Sequence, residues 1–421
     1  PGPGQQPTEL PGAKPPVCFL RESPRTRHGR TTILMSAPTS TTPETGSAGH
    51  SSTRTKVMSL VSKLASIASA GMAAVIPIGI LSGAGYLYDS VSVGQLAVRL
   101  AMTAYVAQVT GAALVEAPLF GKSGHRPQLP TLLYLVGFVG CAVWALGAGH
   151  LAVATVGLFL MLPSLECARA AAVLQGGWQR ELVVGTVLFA SVVLVLVCKS
   201  TVALHVGVAI AVAIAIAIRM PGRWTGFQPV RGAQWWVVAE TAIIGLVQPV
   251  ALKLAYHGLG PSAATGLKFV MTIANVISPI LYYLRLRLLD RHSRADIMLS
   301  TVLIVASSGA ILIMQICGIL RLALGPGWDT VTMLMLVVAM IWKFVTVVST
   351  IPFTTLRRLG RGATVLVLRS LTTAAYIGGV LAALAARPTT TGVLCAFVLA
   401  EAASCVLFEI ACVRAKREEG R

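Results

Sequence analysis

From about residue 57 onward the chain alternates long apolar runs with short polar breaks. A helix that crosses a bilayer needs about 20 apolar residues in succession. Twelve stretches come near that length: roughly 57–81, 93–117, 130–148, 150–166, 181–198, 201–218, 235–256, 262–284, 297–319, 330–351, 364–386 and 390–412. At the two tightest breaks, around His150 and Lys199, one long helix is the alternative to two. Residues 1–54 follow another pattern. Pro, Ser, Thr, Gly and Arg dominate there and no apolar periodicity persists, which predicts a disordered tail. The tail has no apolar core of the kind a signal peptide carries. The chain starts at Pro1, with Met35 and Met58 as candidate internal starts.

The pattern predicts an all-α, polytopic integral membrane protein of about 12 transmembrane helices in two pseudo-repeated six-helix bundles. The first bundle is expected over 55–219 and a cytoplasmic linker over 220–234. The second bundle follows over 235–413, and a basic cytoplasmic tail over 414–421. A weak internal repeat supports the two halves. A shift of 172 residues places Val75 on Val247, Pro77 on Pro249, Leu87 on Leu259, Ser90 on Ser262, Gly94 on Gly266 and Val98 on Val270. The paired prolines weigh most, because each removes a helix hydrogen bond at the same depth.

Loop charges set the expected orientation. Loops after even-numbered spans carry Lys122 and Arg126, then Arg169 and Arg180, then Arg219, Arg223 and Arg231. Further on come Arg285, Arg287, Arg291 and Arg294, then Arg357, Arg358 and Arg361. Loops after odd-numbered spans carry only Lys199, Arg321 and Arg387. The positive-inside rule then puts both termini in the cytoplasm.

Composition narrows the function. The chain is 55% hydrophobic and 12% charged, against about 45–50% and 25% in soluble domains. An ordinary soluble enzyme is excluded. The formal charge of +19 comes from loops and ends, so it reads as contact with anionic lipid headgroups of the bilayer and not with nucleic acid. Eight cysteines form no CxxC pair and the seven histidines form no HxxxH pair. No metal site, cofactor or disulfide framework is indicated. Asp89, Asp290, Asp296 and Asp329 are the only aspartates, so no Asp-rich diphosphate–metal motif exists. Transport is expected, not catalysis. A membrane glycosyltransferase stays open as the alternative, with Asp89 in the first loop as its one candidate carboxylate.

Charges inside spans are the informative residues, since each is costly if it faces lipid. The basic set is Arg99, Lys253, Lys268, Lys343 and Arg369, and the acidic set is Glu116, Glu166, Glu240, Glu401 and Glu409. Arg99 in span two and Lys268 in span eight lie at similar levels of the repeat. Facing one cavity they would attract a diphosphate, with Arg as a planar fork and Lys as a point charge. Snorkelling to an interface is the alternative for each. Glu240 and Lys253 share span seven about 20 Å apart along a helix, too far to pair. Glu240 reads as interfacial, Lys253 as snorkelling and Arg369 as an interface anchor. Lys343 and Glu401 sit mid-span. Glu401 is either a proton-coupling carboxylate or the structural partner of Lys343. Gln248 and Asn275 read as interhelical hydrogen-bonding amides, and Trp235, Trp236 and Trp328 as interface belts. Pro77, Pro163, Pro249 and Pro279 predict kinks.

Several stretches together resemble one family. The run Val93 to Phe120, ending in Glu116-Ala117-Pro118-Leu119, is similar to the second span of bacterial polysaccharide flippases. Leu259 to Arg291 resembles their seventh-to-eighth span junction. Leu324-Gly325-Pro326-Gly327-Trp328 resembles the short segment before their tenth span, and Arg169 to Arg180 their basic loop after the fourth. The resemblance runs in order over residues 57–412. It points to the polysaccharide, O-antigen-type branch of the multidrug/oligosaccharidyl-lipid/polysaccharide (MOP) flippase superfamily. It implies alternating access in a plasma membrane, moving a polyprenyl-diphosphate-linked glycan from the cytoplasmic to the outer leaflet. Arg99 and Lys268 would hold the diphosphate, and glycan-assembly enzymes would be partners. A drug or metabolite exporter of the same fold is the alternative within the superfamily.

Overall fold

The computed structural model describes residues 68, 71–72, 75–119, 129–175, 178–221, 224–226, 235–290 and 294–419. The expected tail over 1–54, the start of the first span and most of the 220–234 linker lie outside the described residues. The described residues are helical throughout, with tight turns between helices and no strand among them.

In the first half, α1 covers Ile76–Leu87 and α2 Ser90–Gly111, the latter continued by a π-helical turn over Ala112–Glu116. There follow α3 (Thr131–Leu146), α4 (Leu151–Gln175), α5 (Trp178–Cys198) and α6 (Val208–Arg219). In the second half, α7 (Trp235–Gly245) and α8 (Val247–Leu259) form one broken span, and α9 (Pro261–Asn275) and α10 (Ser278–Asp290) another. Then come α11 (Arg294–Ile316), the short α12 (Ile319–Leu324), α13 (Met333–Arg358), α14 (Gly362–Ala386) and α15 (Thr390–Glu419).

Eight of these segments are long and apolar enough to cross a bilayer. The pair α9 and α10, bent by 45°, makes a further one. Two shorter apolar helices, Thr131–Leu146 and Ala203–Arg219, fall on predicted spans, and a third, Ile76–Leu87, overlaps the end of the first predicted span, most of which lies outside the described residues. The two doubtful breaks are real. Between α3 and α4 the chain turns through Gly149 at φ 93°, and between α5 and α6 through Lys199 at φ 47°. The C-terminal end differs from expectation: α15 runs on to Glu419, so the basic residues from 414 extend a helix.

Local chemistry places the boundaries. Asp89 caps α2 by accepting from the backbone N–H groups of Val91 and Ser92. Gly260 at φ 90° ends α8 and Pro261 opens α9. Thr332 caps α13 through the Met335 N–H. The bend between α9 and α10 comes where Pro279, near the start of α10, supplies no backbone N–H.

The repeat is visible in the backbone. Val75 and Leu246, each in right-handed helical conformation, precede α1 and α8. Pro77 and Pro249 lie within the first turn of those helices, and α2 and α9 start within one residue of the register the repeat predicts. These repeated elements pack on each other, with α1 and α2 against α8, α9 and α12. One apolar core runs through both halves, and a smaller cluster of Phe353, Leu356, Val365, Phe408, Cys412 and Ala415 lies where α13, α14 and α15 meet. Large apolar side chains also cover the outside, among them Leu132, Val197, Met298, Ile313 and Leu399. A surface facing lipid has this character.

Candidate functional site

The helices alternate in direction, so the turns gather at two ends. One holds Asp89, Gly149, Lys199 and Gly260. The other holds most of the arginines.

At the Asp89 end the two halves meet through small residues and backbone carbonyls. A Cβ on Gly94 of α2 would lie 3.0 Å from Pro261 Cα and 3.1 Å from its carbonyl oxygen, so α2 and α9 touch backbone to backbone there. Ser82 donates to the Leu324 carbonyl at 3.1 Å, and the Tyr86 hydroxyl to the Leu322 carbonyl at 3.4 Å. Both bonds run from α1 to α12.

At the arginine-rich end ion pairs close the junction. Arg285 of α10 donates to Glu116, at the end of α2, at 2.9 Å. Within the second half, Arg357 of α13 holds Glu240 of α7 with two nitrogens, and Arg369 of α14 lies 3.5 Å from the other oxygen. The Arg357, Arg369 and Arg285 guanidinium groups stand over the Phe353 ring at 4.7, 4.5 and 5.3 Å. This corrects three sequence readings. Glu240, read as interfacial, is a buried ion-pair partner. Arg369, read as an interface anchor, belongs to the same cluster. Arg357 is part of a helix core, not a loop charge. The physical reason is that α13 extends about two turns beyond its expected end, carrying Arg357 to α7.

The centre of the second half holds a polar network. The Lys343 ammonium of α13 donates to Asn275 Oδ1 at 2.7 Å and lies 4.2 Å from the Trp342 ring. Asn275 is the last residue of α9, so the cation also sits at the negative end of that helix. Glu401 of α15 is 3% exposed. It is bonded by Ser349 of α13 and, at 2.5 Å, by the Tyr376 hydroxyl of α14. Trp342 Nε1 donates to Tyr376 at 2.9 Å. Lys343 and Glu401 share no direct hydrogen bond; Trp342, beside the Lys343 ammonium, bonds Tyr376, which bonds Glu401.

The two residues expected to hold a diphosphate have different surroundings. Arg99 of α2 turns into the first half, where Nη1 donates to the Thr155 hydroxyl at 2.8 Å and the Leu151 carbonyl at 3.2 Å, both on α4. Lys268 lies in α9 within the wholly buried stretch Ala264–Ala274, at the junction of the halves, and is itself 4% exposed. No ion pair or hydrogen bond reaches its ammonium among the described residues. Arg99 and Lys268 lie on packed helices but are not partners.

Other positions were not legible. Glu181 and Arg219 form a buried two-toothed pair joining α5 to α6. The sequence reading set Glu181 at the very start of a span and Arg219 in a loop, and nothing local shows that the two helix ends meet. His205 takes a bond with Tyr88 at 2.9 Å and the Trp144 carbonyl at 3.0 Å, with its ring stacked on Trp144. Trp328 is no belt residue. It is 1% exposed, donates to Gln315 at 2.7 Å and meets Phe269 edge-on. Trp235 and Trp236 are exposed, as a belt requires, and Lys253 and Glu409 lie at the surface.

No protein-family model matches the chain, and no curated protein matches it significantly. Solved structures do. A MATE protein in complex with MaL6 is similar at 12% identity and a TM-score of 0.50, over 85% of this chain and 97% of its own. An outward-facing multidrug resistance MATE family transporter of the MOP superfamily gives 12% identity and 0.46 over 85% and 97%. An inward-facing one gives 10% identity and 0.45 over 82% and 96%. The first of these likenesses shows that the chain has the helical fold of that MATE protein.

Proposed function

We propose that this chain is an alternating-access membrane transporter, and that its substrate is a polyprenyl-diphosphate-linked glycan moved from the cytoplasmic to the outer leaflet. The two halves rock about the contact of α1 and α2 with α8 and α9. In the same reading the protein sits in the plasma membrane with the arginine-rich end and both termini in the cytoplasm, as the loop charges favour.

Lys268 carries the substrate reading. Its side chain is almost wholly buried at the junction of the halves and its ammonium has no protein partner among the described residues, and such a group calls for an anion. The buried or half-buried carboxylates have the opposite character. Glu116, Glu181, Glu240 and Glu401 all receive protein donors. An organic cation would find no bare carboxylate among them, which disfavours the drug-exporter alternative. Lys268 is the principal headgroup contact. Arg99, with Nη1 held by α4, adds its remaining N–H groups. Asp89 spends its carboxylate on capping α2, which disfavours the glycosyltransferase alternative.

The test is reconstitution in proteoliposomes with a fluorescent sugar on a short polyprenyl diphosphate, scored by chemical quenching from outside. Protein-dependent loss of the protected fraction, reduced tenfold or more by Lys268→Gln, is the expected result. Flipping unaffected by that substitution, or transport of a quaternary ammonium dye in its place, overturns the substrate reading.

A further inference from the structure

Arg369 of α14 is a guanidinium with idle donors. None of its five N–H groups makes a hydrogen bond among the described residues. Its Nε is fully buried and lies 3.5 Å from Glu240 Oε1 without bonding it. Glu240 gives its other oxygen to two nitrogens of Arg357, so one carboxylate stands beside two cations. The nearest rings, Phe353 and Phe408, lie 4.5 and 5.2 Å from the Arg369 guanidinium carbon. They attract its charge and supply no oxygen to its N–H groups. A guanidinium this deep is costly unless an acceptor reaches it. The side chain is 15% exposed. Since Nε is sealed, the terminal nitrogens keep the access. We propose that Arg369 is a binding site for the phosphate of an anionic bilayer phospholipid, seated on the second half beside α7 and α14.

The surroundings suit a lipid. α14 packs on α7, α8, α13 and α15, all helices of the second half. On either side of Arg369 its outer face carries the exposed Val367 and Leu371, an apolar track for acyl chains. The start of α7 carries the exposed Trp235 and Trp236, and a Cβ on Gly362, where α14 starts, would lie 4.0 Å from Trp236 Cβ. Exposed tryptophans mark the headgroup level of a leaflet. Arg369 lies seven residues beyond Gly362, about 10 Å along the axis. Helix side chains lean toward the N-terminus, which carries the long arginine head back toward that level. There its planar fork can hold two phosphate oxygens at once. Basic pockets between spanning helices on the cytoplasmic side take anionic headgroups in this way.

The site is separate from Lys268, which lies in α9 at the junction of the halves. It rests on the membrane fold and not on the glycan reading. A lipid phosphate there would give Arg369 its missing acceptor and answer the second cation beside Glu240. The lipid would thereby tie α14 to α7 and α13 and stiffen the second half.

The test is the thermal midpoint of the full-length protein, stripped of lipid in detergent and titrated with phosphatidylglycerol, phosphatidylcholine or inorganic diphosphate. Phosphatidylglycerol should raise the midpoint by about 5 °C, with phosphatidylcholine giving less than half of that. Arg369→Gln should lose most of the rise. Arg321→Gln, which removes an exposed arginine paired with Asp329 at the other end, should keep it. If Arg369→Gln does not fold, Arg369→Lys keeps the charge without the fork and should need several times more lipid for the same rise. A full rise in Arg369→Gln, or in Arg369→Lys at unchanged lipid concentration, overturns the site. An equal rise with phosphatidylcholine overturns the anionic preference. A rise given by diphosphate and not by phosphatidylglycerol overturns the lipid assignment and makes Arg369 a contact for a soluble or substrate phosphate. Flipping of the glycan lipid can fail without touching any of these readings.

Discussion

Arg285 bonds Glu116 at 2.9 Å across the junction of the two halves. The two residues are 169 positions apart; Glu116 continues α2, which carries part of the internal repeat, and Arg285 lies in α10, which follows its counterpart α9. The pair is the one direct ion bond between the halves among the described residues, and it lies at the arginine-rich end.

Opening that end must break this bond. Each partner keeps roughly a fifth to a quarter of its side chain exposed, so solvent screening limits its worth to about 1 kcal/mol. Glu116→Gln should therefore shift the open-to-closed ratio at that end by roughly fivefold. Spin-label distances between α2 and α10 would report it. The charge exchange Glu116→Arg with Arg285→Glu should restore the native distribution; a distribution indifferent to all these changes would show that the pair holds nothing closed.

The Gly94–Pro261 contact makes the opposite end testable. Gly94→Val must push α2 off α9, because even a Cβ would meet Pro261 backbone at about van der Waals overlap. Loss of closure at the Asp89 end, read by accessibility of an engineered cysteine in α1, is the expected outcome. Gly309 in α11 is the control, since open space surrounds it. Gly309→Ala should raise stability by about 0.5–1 kcal/mol.

Glu181 and Arg219 lie buried together, and breaking such a pair leaves an uncompensated charge, at a cost of about 3–5 kcal/mol. Arg219→Met should lower the thermal midpoint of the purified protein markedly. Replacing both, Glu181→Leu with Arg219→Met, should recover much of the loss. A double variant as unstable as the single one would contradict that account.

Asp89 offers a pH test outside the membrane. Hydrogen bonds from Ser92, side chain and backbone, and from the Val91 N–H hold its carboxyl below the usual range. A lowered folded value means that its stabilisation is complete above the ordinary aspartate range and fades as pH falls through the folded value. Asp89→Asn keeps the cap and should remove this acid-side dependence while leaving transport intact. Abolished activity in Asp89→Asn would instead mark a chemical role for the carboxylate.

Arg99 and Lys268 should separate in their effects. Arg99→Gln loses bonds to Leu151 and Thr155 and should cost about 1–2 kcal/mol of stability, visible in the thermal midpoint. Lys268→Gln removes an unpaired buried charge, so it should leave stability equal or higher while transport falls. Equal losses of stability in both variants would place Lys268 among the structural residues.

Much of the fold was legible before any coordinates. In a bilayer each spanning segment satisfies its own backbone, so local hydropathy alone locates helices. That is why eleven of the twelve predicted segments coincide with apolar helices, the first lying mostly outside the described residues, and why Pro77 and Pro249 gave away the repeat. The breaks at Gly149 and Gly260 were likewise local, set by residues that favour turns. Partnership was not local. Nothing in the runs around Glu240 and Arg357, or around Asn275 and Lys343, says that they meet, since a helix that is apolar on every side does not declare which face turns inward. The tertiary structure decided that Glu240 binds Arg357, that Arg99 turns to α4, and that Lys343 docks on α9 while Tyr376 serves Glu401. It decided them because packing brings together helices far apart in sequence, and each buried charge then takes the nearest group able to answer it.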